Sequence, residues 1–316
     1  MELPDLARRD LGGAVVTAND EAFAARQNLI TPGPAVFDPA AFGPNGKVYD
    51  GWETRRRREP GHDTAEIRLG MPGIVRGIVI DTAFFVGNYP PEAAVDGLTV
   101  DGEWVPLVPR SGIKGDAENT FAVDQPRPIT RVRLSIFPDG GVARLRVHGE
   151  AAPDPALVAA LGTIDLAAVE FGGRVTGCSD GFFGSPNNLL LPGPARSMGE
   201  GWETARRRDD GHEYVEIALA CEGTISVAEL DTSWYLHNAP GWAALSGWTG
   251  GEWRELLPRT AIEPDARNRF VLTDAPPCTA VRMDAYPDGG MARVRLHGTP
   301  TERGHAALAS RWKDAS

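Results

Sequence analysis

The chain lacks most of the marks that would assign it a partner at once. It has only three cysteines, Cys178, Cys221 and Cys278. The number is odd, no two are close-set, and all lie in the second half. No disulfide framework is encoded, and reduced thiols in a cytosol-like compartment are expected. No apolar run approaches the ~20 residues a membrane span requires. Met1-Glu2-Leu3-Pro4-Asp5 has neither the basic nor the apolar region of a signal peptide, so a cytoplasmic location is expected. Basic charge is also short. The 32 Lys and Arg face 43 Asp and Glu, a formal net charge of −11. That balance argues against nucleic acid or an anionic membrane as the main partner. There is no His-x-His, His-Glu-x-x-His or Cys-x-x-Cys, so no spacing singles out a metal site. Loop aspartates and carbonyls leave a divalent ion such as Ca²⁺ open. No Gly-x-Gly-x-x-Gly follows a strand, so no dinucleotide site is indicated.

What the chain does have is turns and repetition. With 316 residues it is long enough for two cores, and 37 Gly and 26 Pro suggest many short strands. Gly51-Trp52-Glu53-Thr54-Arg55-Arg56-Arg57-Arg58 returns as Gly201-Trp202-Glu203-Thr204-Ala205-Arg206-Arg207-Arg208. Gly61-His62-Asp63 returns as Gly211-His212-Glu213, Asp81-Thr82 as Asp231-Thr232, and Asn88 as Asn238. Pro138-Asp139-Gly140-Gly141 returns as Pro287-Asp288-Gly289-Gly290. Two copies of one long unit indicate duplication of a whole domain, whereas a solenoid would use many short repeats. The expected boundaries are 1–150 for the first copy, 151–169 for a linker, and 170–316 for a second copy ending in a short helix. Upstream of Gly51 the first copy carries a ten-residue insertion, near residues 35 to 46.

Within each copy the periodicity is two. Ala65, Ile67 and Leu69 alternate with Thr64, Glu66 and Arg68, and Val132, Leu134 and Ile136 alternate with Arg131, Arg133 and Ser135. That pattern predicts half-buried antiparallel strands. Residues 74 to 80 are nearly all apolar and suit a central strand. Helical periodicity is weak outside Leu157–Leu161 and Glu302–Lys313. The expectation is an all-β protein, with a jelly-roll β-sandwich in each copy.

These motifs resemble the allantoicase (allantoate amidinohydrolase) family over nearly the whole chain. The carriers are the duplicated Gly-Trp-Glu-Thr-x-Arg-Arg-Arg with its Gly-His-Asp/Glu follow-on, Asp81-Thr82-Ala83 leading to Gly87-Asn88-Tyr89-Pro90, and the Pro-Asp-Gly-Gly turn before Arg144. The resemblance implies two tandem jelly-roll repeats of galactose-binding-like topology. It also implies hydrolysis of allantoate to ureidoglycolate and urea in purine breakdown, and assembly into a homo-oligomer.

Allantoate carries a carboxylate and two ureido groups on one carbon. Expelling one urea calls for a general acid, a base for the retained N–H or for water, and a cation for the carboxylate. Glu53, Arg55 and Arg57 would share one face of an extended segment anchored through Trp52. A plain salt-bridge ladder is an equal reading for the arginines. His62 and His212 follow glycine and precede a carboxylate, which suits acid–base work. A loop-bonding structural histidine is the competing reading. Asp81 and Asp231 end an apolar strand, as bases or as turn caps. Asn88 and Asn238 stand in loops, as ligand contacts or Asx-turns. Arg144 and Arg293 follow the hairpin turn, reaching a loop-end pocket or lying solvated on a strand. Catalytic candidates are therefore Glu53, His62, Asp81, Glu203, His212 and Asp231. Substrate-binding candidates are Arg55, Arg57, Asn88, Arg144, Arg207, Asn238 and Arg293. The first copy is the expected stronger site, because Ala205 replaces Arg55 and because Gly87, unlike His237, permits close backbone approach.

A non-catalytic tandem carbohydrate- or ligand-binding jelly roll is the alternative, and a structural oligomerisation protein a third. The repeated motifs are charged rather than exposed aromatic, which favours a small anionic substrate.

Overall fold

A computed structural model describes residues 3–313. One compact unit ends at Ala152 and the other runs Pro153–Trp312. Both are built from strands. The two α-helices are Pro155–Leu161 and Glu302–Lys313, the two places where the sequence shows helical periodicity. The Asp154 side chain accepts the Ala156 N–H at 2.8 Å and caps the first of them.

The first unit is organised by one strand of 19 residues, Asp63–Asp81. Its first half pairs with Ala14–Ala18 and Ile129–Phe137, and its second half with Arg144–Ala151 and Glu118–Ala122. Glu92–Thr99 and Trp104–Gly112 extend the first set beyond Ile129–Phe137. A straight strand of that length would reach about 60 Å. Yet Asp63 pairs with Ile136 and Asp81 with Arg144, and the chain from 136 to 144 can span only about 28 Å. The long strand therefore folds back, at the register break between Arg68 and Gly73. It serves both layers of a sandwich and returns both its ends to the turn at Pro138–Gly141. The predicted alternation holds. Ile67, Ile78, Ile80, Val132, Leu134, Leu145 and Val147 are fully buried, each contributing about 1.5–3 kcal/mol.

The second unit repeats this plan around Glu213–Asp231, paired with Arg174–Cys178, Cys278–Tyr286, Arg293–Pro300 and Arg267–Val271. Trp242–Trp248 and Trp253–Ala261 complete the larger layer. The chain is thus two tandem jelly-roll β-sandwiches. The stretch expected as a linker holds the first α-helix and also Ile164–Asp165, which pairs with Arg293–Pro300. All three cysteines are free. Burial raises the thiol pKa of Cys221 to about 11 and of Cys278 to about 12. Among the described residues no helix is long and apolar enough to cross a membrane.

Candidate active site

The Gly-Trp-Glu-Thr motif makes a two-residue strand, Trp52–Glu53, held against Gly141–Val142 on one side and Ala24 on the other. Trp52 is fully buried, and its indole N–H donates to the Asp20 carbonyl at 2.7 Å. The hairpin needs glycine at 141, because a Cβ there would lie 2.0 Å from the Phe85 ring. Squeezed on both flanks, Glu53 is itself buried, at 9% exposure. The expectation of one buried and one presented face fails here: Trp52, Glu53 and Thr54 are all buried, and Arg55 and Arg56 are both exposed.

Glu53 Oε1 accepts the Asn88 side-chain N–H at 2.7 Å, while Oε2 is buried without a partner. Burial raises the carboxyl's pKa above the usual glutamate value, only partly offset by the Asn88 bond. Asn88 is positioned in turn by its own carbonyl, which accepts the Gly141 N–H at 2.8 Å. The second copy repeats the pair. Asn238 donates to Glu203 Oε1 at 2.6 Å, and its carbonyl accepts the Gly290 N–H at 2.7 Å. Asn88 and Asn238 thus each spend a side-chain N–H on a glutamate.

The arginines divide. Arg55 Nε donates to Asp20 Oδ2 at 2.5 Å on an exposed side chain. Burial opposes the charge on Asp20, but the Ala22 and Arg55 N–H groups and the Arg55 guanidinium outweigh it and lower the carboxyl's pKa. Arg57 Nη1 donates to buried Asp63 at 2.6 Å, and its backbone N–H donates to Asp139 at 2.8 Å. Arg207 does the same with Glu213 and Asp288, and adds Asp209. Arg144 and Arg293 lie neither in solvent nor open to a pocket; they are 1% and 4% exposed. Arg144 binds Asp50 Oδ2 at 2.6 Å and the Asp50 carbonyl at 3.1 Å. Arg293 binds the Glu200 and Gly193 carbonyls. Both pin the loop that leads into Gly-Trp-Glu.

The structure does not join the remaining candidates to the glutamates. Asp81 and Asp231 cap turns, accepting the Ala83 and Ser233 N–H groups at 2.8 and 2.9 Å. His62 stacks on Phe137 with centroids 4.8 Å apart. His212 stacks on Tyr286 at 4.4 Å, and its Nε2 lies 3.0 Å from Asp284. The carboxylates that follow these histidines in sequence turn to Arg57 and Arg207 instead. Gly87 is open on its side-chain face, since a Cβ there would meet no protein atom within 4 Å. Among the described residues no three His, Cys, Asp or Glu side chains gather as a metal set.

Sequence reading missed several contributors. Asp20 and Asp180 recur beside each motif and bond its backbone. Tyr235 stands where the first copy has Phe85, and its buried hydroxyl donates to the Met198 carbonyl at 2.8 Å. Gly177-Cys178-Ser179-Asp180-Gly181 has the spacing of a serine-nucleophile elbow. Ser179, however, follows an edge strand and bonds Glu213 and Tyr214.

The same organisation is found in known proteins. The family model "Allantoicase repeat" matches residues 4–152 and again 164–301. A probable allantoicase of Nocardia farcinica is 55% identical over 94% of each chain. One from Streptomyces coelicolor is 48% identical over 98% of this chain and 89% of its own. The crystal structure of allantoicase from Saccharomyces cerevisiae superposes with a TM-score of 0.81 at 32% identity, covering 93% of this chain and 92% of that one. The duplicated fold and these likenesses agree: the chain belongs to the allantoicase family.

Proposed function

We propose that the protein hydrolyses allantoate to ureidoglycolate and urea, with Glu53–Asn88 and Glu203–Asn238 as its reacting centres. The observation that carries this reading is the glutamate–asparagine pair, built by the same backbone in both copies of an allantoicase-family chain. The asparagine spends one N–H on the glutamate. In the first copy its amide oxygen and second N–H remain to grip a ureido group, which offers both donors and an acceptor; in the second copy the amide nitrogen also faces Met198 Sδ at 3.3 Å and the amide oxygen remains. The glutamate, entering the reaction protonated, donates its proton to the departing urea nitrogen, and at Glu53 burial favours that form. The lone pair of the retained ureido nitrogen forms the C=N bond as the C–N bond breaks. Water then adds to that carbon and returns its proton to the glutamate. One such group contributes about 10²–10⁴-fold.

The substrate carboxylate needs a guanidinium not already engaged. Arg55, Arg57, Arg144, Arg207 and Arg293 are committed elsewhere. Arg56 and Arg206 recur three residues beyond each glutamate, are exposed and make no ion pair among the described residues. They are assigned to the carboxylate, in bidentate geometry. The oligomer and the cytoplasmic location rest on the family resemblance and the sequence composition. Incubation of the purified chain with allantoate tests the function: urea is expected. Its absence across pH 5–9, with and without added divalent ions, would reject it.

A further inference from the structure

The two candidate sites differ most in what is fastened beside them. Between Pro-Gly-Pro and Gly-Trp-Glu the first copy carries ten residues more than the second. They form a small hairpin, with Phe42–Gly43 paired to Gly46–Lys47. Its root is fixed by Asp50, which accepts the Val36 N–H at 2.9 Å and the Arg144 guanidinium. On one side the Phe37 ring stacks on Phe84 at 5.3 Å, and Tyr49 on Phe85 at 5.0 Å. Lys47 Nζ sits 4.5 Å above Phe37. At the tip, the Asn45 side chain donates to the Ala22 carbonyl at 2.5 Å.

These anchors are not scattered. Phe84 and Phe85 lead directly into Asn88. Ala22 leads into Phe23 and Ala24, whose N–H groups both donate to the Glu53 carbonyl. The hairpin is therefore tied to both loops that bracket the Glu53–Asn88 pair. The second copy has only the short connection through Met198, whose Sδ lies 3.3 Å from Asn238 Nδ2. Glu203 is half-buried where Glu53 is buried, and Trp234, the counterpart of Phe84, is 48% exposed.

We propose that the hairpin spanning residues 36–49 is a strap that sets substrate size at the first-copy site. It walls the pair so that only an unsubstituted ureido group enters there, while the second site, lacking it, admits a substituted one. This rests on the reading of the glutamate–asparagine pairs as reacting centres. Packed walls reject an extra methyl group by roughly tenfold or more.

The experiment isolates each site by Glu203→Gln or Glu53→Gln and compares allantoate with its bis(N′-methylureido) analogue, following urea and methylurea. With Glu203→Gln, the analogue is expected to fall at least tenfold behind allantoate in kcat/KM. Adding Phe37→Ala and Asn45→Ala should shrink that ratio to under threefold while turnover of allantoate persists. With Glu53→Gln, the ratio should be small and unchanged by the strap substitutions. Asn45→Ala alone removes a single surface bond and serves as the test where the double variant melts early. A folded, allantoate-active strap variant that keeps the full discrimination overturns the strap. No urea from the unmodified chain overturns the reaction reading, and the strap proposal falls with it.

Discussion

The same Gly-His motif sits in two different electrostatic settings. In the first copy His62 lies on Phe137, with Ser135 as its neighbour along the strand. In the second, position 284 is aspartate, and His212 lies 3.0 Å from its carboxylate, which also accepts the Arg282 guanidinium at 2.9 Å. The arginine loops differ in the opposite sense. Asp20 holds both the backbone and the guanidinium of Arg55, while Asp180 keeps the bond to the Ala205 backbone with no guanidinium at that position. The loop thus holds its backbone course where Ala205 replaces Arg55. A duplicated motif preserves backbone bonding first. What surrounds a titratable group is set by residues from distant strands, and these are free to diverge.

The largest effects should come from the glutamates. Glu53→Gln with Glu203→Gln together is expected to lower urea release by at least 10³-fold. Glu53→Gln alone should remove the greater share, and equal losses from the two single variants would erase the ranking of the copies. Initial rates of urea formation, with thermal melts as controls, decide this.

Next are the buried arginines. Arg144→Met leaves the Asp50 carboxylate with only the Val36 N–H, leaves several carbonyls without a partner, and should cost about 3 kcal/mol in the first unit. Arg293→Met strands only carbonyls, and about 1–3 kcal/mol is expected. Urea denaturation, followed separately for each unit's transition, measures both; a larger loss for Arg293→Met would contradict the difference.

The pH response should also separate residues. Burial raises the Glu53 pKa, so its contribution to stability is full below the unfolded glutamate value and is lost as pH rises through the higher folded value. Glu53→Gln should flatten that slope. Asp50 works in the opposite direction. Burial opposes its charge, but the Arg144 guanidinium and the Val36 N–H outweigh it and lower the pKa. Its contribution is present above the unfolded aspartate value and lost as pH falls through the lower folded one. Denaturation midpoints between pH 3 and 8 for Glu53→Gln and Asp50→Asn test both directions.

The smallest expected change is at the second histidine. Asp284→Ser, which installs the first copy's residue, should cost up to about 1 kcal/mol, because His212 is 34% exposed and solvent screens the pair. A double-mutant cycle with His212→Ala measures the coupling. A coupling near zero would mean that the two settings differ in geometry alone.

Much of this architecture was legible from residues alone. The period-two runs located the strands, and the offset between motifs located the duplication. Glu53, Glu203, Asn88 and Asn238 were singled out because they recur. Their pairing was not legible, since residues 53 and 88 meet only when the Pro138–Gly141 turn closes between them. Nor was the burial of Arg144: an arginine beginning an alternating strand reads as solvated until the loop through Asp50 is folded over it. Nor were the settings of the histidines legible: Asp63 and Glu213 adjoin them in sequence, yet each carboxylate opens a strand and accepts an arginine, Arg57 or Arg207, instead.

The long strand Asp63–Asp81 carries a consequence for folding. One backbone segment supplies a pairing edge to both layers of the sandwich, so neither layer can open while the other keeps all its partners. Its partners at residues 129–151 lie far along the chain, a high contact order that favours slow, concerted closure. Amides on both halves of the strand should therefore exchange with solvent at one common rate, as a single cooperative unit, rather than layer by layer.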